Sequence, residues 1–155
     1  MAIDVRPTVH KQRTAWAAVC AVPIYALLYP VYSLICSGIV ELYARHDESF
    51  RYGFGALIMA LAPSVLASLG AMIIVVRIFR YANHEAVFYS FATLTVALLA
   101  LTVLVSLAEH HRLAEVVWPT VSAAAAIAGA KVGTAMGVAR YAKAPAPRDR
   151  AATQP

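Results

Sequence analysis

The sequence is poorest in acids where acids would matter most. Of its 155 residues only 8 are Asp or Glu, and none falls inside the four long apolar runs. That excludes a pump relaying protons along intramembrane carboxylates. Cysteine is nearly absent: Cys20 and Cys36 both lie in the first apolar run. If that run is one helix they stand about 24 Å apart along it, beyond disulfide reach. Catalytic signatures are missing as well. There is no nucleotide-binding glycine loop, HExxH, CxxC or nucleophile elbow, so the chain reads as non-enzymatic, with no cofactor expected. Charged residues make up only 14% of the chain, against about a quarter in soluble domains.

What is present is apolar length. Hydrophobic residues reach 61%, and apolar runs without acidic residues extend over 14–40, 54–76, 86–107 and 116–139. Each is long enough to cross a bilayer as a helix. The expected fold class is therefore all-α: a polytopic membrane protein, an antiparallel four-helix transmembrane bundle over 14–139. It is flanked by an N-terminal arm over 1–13 and a flexible tail over 140–155, which is rich in Pro and Ala. The first run follows Lys11 and Arg13 but is too long for a signal-peptide core, and it reads as an uncleaved helix.

The net charge of +5 does not point to nucleic acid, because the cations sit at the ends of the apolar runs and not on one face. Arg6, Lys11 and Arg13, then Arg77 and Arg80, then Arg140, Lys143, Arg148 and Arg150 alternate with loops holding only Arg45, Arg51 and Arg112. The asymmetry places both termini in the cytoplasm, with the chain multi-pass in a bacterial-type inner membrane.

Two features of the fourth run carry the functional expectations. Gly129, Gly133 and Gly137 lie four apart, and Ala126 and Ser122 extend the row. This glycine-zipper ridge would let another helix approach closely. Lys131 falls almost opposite, by about 160° at 100° per residue. Intramembrane charges usually face the bundle interior, so the lysine is expected inward and the ridge outward, towards a second copy or a larger membrane complex. A second small-residue row, Ala56, Ala60, Ser64 and Ser68, offers the ridge an internal alternative.

No carboxylate inside the runs can neutralise Lys131. Its counter-charge must come from a partner, an anionic lipid or a ligand, and Tyr25, Ser68 and Thr95 lie at a similar depth. They define a second expectation, a polar layer serving a small-solute or ion transporter. A third is a regulatory or immunity-type binder of another membrane protein. In the first run Tyr25, Tyr29, Tyr32 and Cys36 share a face opposite Pro23 and Pro30, a pattern suited to packing. The loops predicted outside hold His46, Asp47, Glu109, His110 and His111, donors that would suit Zn²⁺ or Cu²⁺ if the loops met.

Overall fold

The structure is a computed structural model that describes residues 6–80, 82–108 and 113–142. It is all-helical: α1 (Arg6–Ala44), α2 (Glu48–Phe50), a π-helical turn (Arg51–Gly55), α3 (Ala56–Ile78), α4 (His84–Ala108) and α5 (Leu113–Ala142). Four stretches are long and apolar enough to cross a membrane, namely Gln12–Ala44, Glu48–Ile78, His84–Val105 and Val116–Ala139. Helices are the form such sequences must take, because lipid offers nothing to an unpaired amide.

The helices run past the bounds set by hydropathy, since backbone hydrogen bonding continues where apolarity stops. α1 begins within the predicted arm and ends four residues beyond Val40, and α5 continues to Ala142. The rest of the predicted tail lies outside the described residues. Pro23 and Pro30 are both exposed within α1, whereas Cys36 is buried and Tyr25 and Tyr32 are half-buried. The stripe with the tyrosines thus turns inward and the prolines outward. Both cysteines are free.

The turns are built from local polar chemistry. After α1, Asp47 caps α2: its Oδ1 accepts from the Ser49 amide at 2.9 Å and the Ser49 hydroxyl at 2.6 Å, as a helix N-cap requires. These bonds hold the Asp47 carboxyl below the usual carboxylate range. The cap is therefore present at neutral pH and lost as pH falls through that lowered value. Tyr43, Phe50 and Phe54 form a chain of ring contacts beside it, with centroids 5.6 and 5.9 Å apart. At the other end of α3, Asn83 caps α4 by accepting from the Ala86 amide at 3.2 Å, while the Asn83 amide donates to the Thr14 hydroxyl at 3.1 Å.

Packing centres on α3. It makes its most extensive contacts with α5 and then α1, whereas α4 packs against α5 and α1. Around the bundle the order is α1, α3, α5, α4. The main core joins Ala17 and Ala21 of α1, Met72 and Val75 of α3, Ala82, Val87 and Phe91 of α4, and Ala130 of α5. It lies at the end closed by the 79–83 connection. Only 11% of the spanning stretch is buried in α1 and in α4, against 39% in the second stretch and 33% in the fourth. The outer faces of α1 and α4 are accordingly apolar and exposed.

The glycine ridge is the seam between α5 and α3. A Cβ on Gly129 would stand 2.5 Å from the Val65 carbonyl oxygen and closer still to the Ser68 hydroxyl. On Gly133 it would stand 2.5 Å from the Leu69 carbonyl oxygen, and on Gly137, 2.9 Å from Val76 Cγ1. All three glycines and Ala126 are buried. Ser122, at the head of the row, shares a hydrogen bond with Ser64 across the two helices. The ridge therefore does not face outward as expected. The small row on α3 received it, because two rows of small side chains bring the backbones close enough for dispersion and Cα–H contacts.

Gly133→Ala should destabilise the bundle by about 1–3 kcal/mol, the usual range for forcing atoms into a closed interface. Gly38→Ala should be neutral, since nothing lies within 4 Å of the position a Cβ would take there. Reversible unfolding in mixed micelles, followed by circular dichroism, measures both. A double-mutant cycle of Ser64→Ala and Ser122→Ala should return a coupling of about 1 kcal/mol, typical of hydroxyl pairs between membrane helices.

Candidate functional site

With the glycines turned inward, Lys131 is turned out, and it is exposed. It is not stranded on a lipid-facing surface. It lines a groove of about 720 Å³ between the first turns of α4 and the last turns of α5. The α4 side contributes Asn83, His84, Glu85, Phe88 and Tyr89, and the α5 side Lys131, Thr134, Ala135 and Val138. Local sequence explains the arrangement. The cap at Asn83 starts α4 there, and the following polar residues occupy its first turn, where an acid such as Glu85 is favoured by the helix dipole.

The groove mixes both signs of charge with an apolar wall. Glu85 and Lys131 share it without forming an ion pair with each other. His84 lies in the same wall, and its Nδ1 is buried with no hydrogen-bond partner among the described residues, an unmet demand in a helical wall that otherwise satisfies its own backbone. The Thr134 hydroxyl donates to the Ala130 carbonyl at 2.9 Å and is thereby already engaged. Phe88 and Tyr89 meet edge to face at 5.4 Å. Glu85 supplies the carboxylate that the apolar runs lack, one residue before the third run begins.

Of the residues expected to form one polar layer, Tyr25 and Thr95 meet and Ser68 lies one turn from Ser64, which Tyr25 hydrogen-bonds, while Lys131 stands apart. Tyr25 and Thr95 line a separate, mostly apolar crevice of about 250 Å³ between α1, α4 and α5, to which Ser122 also contributes. The Thr95 hydroxyl donates to the Phe91 carbonyl at 2.9 Å, and the Tyr25 ring stands edge-on to Phe91 at 5.6 Å. Ser68 is fully buried beneath Gly129 and donates to the Ser64 carbonyl at 2.7 Å. Lys131 is on another flank. The reason is helical phase: equal depth does not bring side chains onto a common axis when each helix turns a different face to the core.

The candidate metal donors divide in the same way. His46 Nδ1 lies 3.3 Å from the Leu42 carbonyl oxygen, and Asp47 is occupied with Ser49. Glu109, His110 and His111 lie outside the described residues. Among those described, no group of three His, Cys, Asp or Glu side chains is placed to hold a metal ion.

Sequence reasoning missed His84, Glu85 and Asn83. The signal was available: Asn-His-Glu directly after Arg80-Tyr81-Ala82 is an N-cap followed by a charged first turn, at the same end of the bundle as Lys131. Lys131→Cys should be labelled by a water-soluble thiol reagent in nanodiscs, through the groove, whereas Ala126→Cys, buried on the ridge side, should resist it by at least about tenfold in rate. Equal labelling would contradict the opposed faces of α5.

No known protein-family model matches the chain, and no curated protein or solved structure is similar to it.

Proposed function

We propose that this chain is a small non-enzymatic integral membrane protein, a subunit or accessory of the cytoplasmic membrane. On this reading it works by packing against another membrane helix, from a second copy or from a larger complex. The observation that carries the proposal is the outer face of α5. Thr120, Ala124, Ala128, Ala135 and Ala139 lie within about 100° of one another around that helix, all exposed. Because the glycines already serve α3, this second small-residue face is the one left for a partner. Small faces are how membrane helices associate when lipid removes the hydrophobic drive. Lys131 and Val138 fall within the same arc, and Ala135 and Ala139 of this face also line the groove.

The bundle is read as up-down, with both termini in the cytoplasm. Contact order supports the alternation: Val40 lies against Gly55 and Leu28 against Gly70, whereas α3 and α5 meet in ascending order from Ser64–Ser122 to Val76–Gly137. The cationic ends at Arg13, Arg77 and Arg80 support the orientation. Lys131 lies outside the crevice that Tyr25 and Thr95 share, so a transport path along that crevice would run without its charge. A binder that regulates another membrane protein would use the same α5 face as a subunit.

In a background with Cys20 and Cys36 replaced by alanine, Ala128→Cys should give intermolecular cross-links in native membranes, and Ala126→Cys, buried on the ridge side, should give none. Absence of any intermolecular product at Ala128, with its own copy or another chain, would overturn the proposal.

A further inference from the structure

We infer that the groove between α4 and α5 binds the headgroup of phosphatidylethanolamine, with Lys131 on the phosphate and Glu85 on the ammonium. The inference rests on the reading of the chain as a membrane-embedded bundle, and concerns the groove, which shares Ala135 and Ala139 with the small-residue face of α5 but does not reach Ala128. Three observations lead to it. Among the described residues, the groove holds one cation and one carboxylate that do not pair with each other. His84, in its wall, buries an Nδ1 with no partner among the described residues. Phe88 and Val138 line it with apolar surface, which a soluble phosphate would leave without use.

Charge chemistry selects the headgroup. A phosphate diester satisfies Lys131 through charge-assisted hydrogen bonds, but a purely anionic lipid would set its remaining polar groups beside the Glu85 carboxylate. A primary ammonium removes that conflict, because it donates to Glu85 while its phosphate accepts from Lys131. Choline carries the same charge but has no N–H to donate, so it loses the second interaction. Position agrees with chemistry. The groove opens sideways at the end of the bundle that carries exposed Arg77 and Arg80, the level at which cationic side chains meet headgroups. Phe88 and Val138 give the groove an apolar wall beside its charged groups.

The inference is tested by native mass spectrometry of the full chain, purified in mild detergent, delipidated and given one probe at a time. Phosphatidylethanolamine should be retained about tenfold more than phosphatidylcholine or phosphatidylglycerol, the factor expected for one charge-assisted hydrogen bond. Glu85→Gln should abolish the advantage over phosphatidylcholine and raise retention of phosphatidylglycerol. Lys131→Met should lower retention of all three lipids. O-Phosphoethanolamine, which has the headgroup without chains, should not be retained. Equal retention of the lipids by the unaltered chain overturns the inference, as does a preference that survives Glu85→Gln. Glu85 is exposed, so that variant keeps its fold even if Lys131→Met does not. Tight binding of O-phosphoethanolamine would assign the groove to a soluble ligand. Cross-linking at Ala128 is independent of all these outcomes, so either reading can fail alone.

Discussion

The close approach of α5 to α3 sets the rest of the structure. Where Gly129 and Gly133 lie on the backbone at Val65 and Leu69, no side chain separates the helices. Their phase about one another is fixed within narrow limits, because rotation of α5 by one residue would drive a Cβ into a carbonyl. Once that phase is fixed, everything else on α5 has an assigned direction. Ser122 meets Ser64, Ala130 enters the core, and Lys131 must point away. The lysine's location is a by-product of glycine packing and not of any attraction that the core has for charge.

This reverses the usual inference about intramembrane charge. A lysine in a membrane helix is normally placed towards the bundle interior because lipid is the costlier environment. Here the interior along α5 is too tight to admit one. The remaining solution is a groove on the bundle's flank, where Glu85 and the polar start of α4 give the cation somewhere to be. A small bundle with little internal volume has few other ways to carry a charge within a spanning helix.

Much of the architecture was legible in the sequence, and the reasons are visible in particular residues. Apolar run length located all four spanning helices, because lipid leaves no other backbone form. The row of Gly129, Gly133 and Gly137 announced a close helix contact, and Ser64 and Ser68 offered the matching row. What was not legible was the partner to which each face belonged. Periodicity defines faces on one helix and says nothing of which faces meet, so the polar layer drawn through Tyr25, Ser68, Thr95 and Lys131 included a lysine that turns to another flank. Glu85 was overlooked for a related reason. It lies one residue outside an apolar run, and hydropathy draws a boundary where the helix and its groove are continuous.

The order of helices around the bundle, α1, α3, α5, α4, differs from their order along the chain. α4 leans on α1 and α5, not on the helix made immediately before it, and the buried Ala82 ties the 79–83 connection into the core. During synthesis α1 and α3 can settle against each other as they emerge, but α4 enters the membrane with one of its two neighbours still unmade. Until α5 is present, α4 has only α1 to pack against, and α5 completes the packing of α3 and α4 alike.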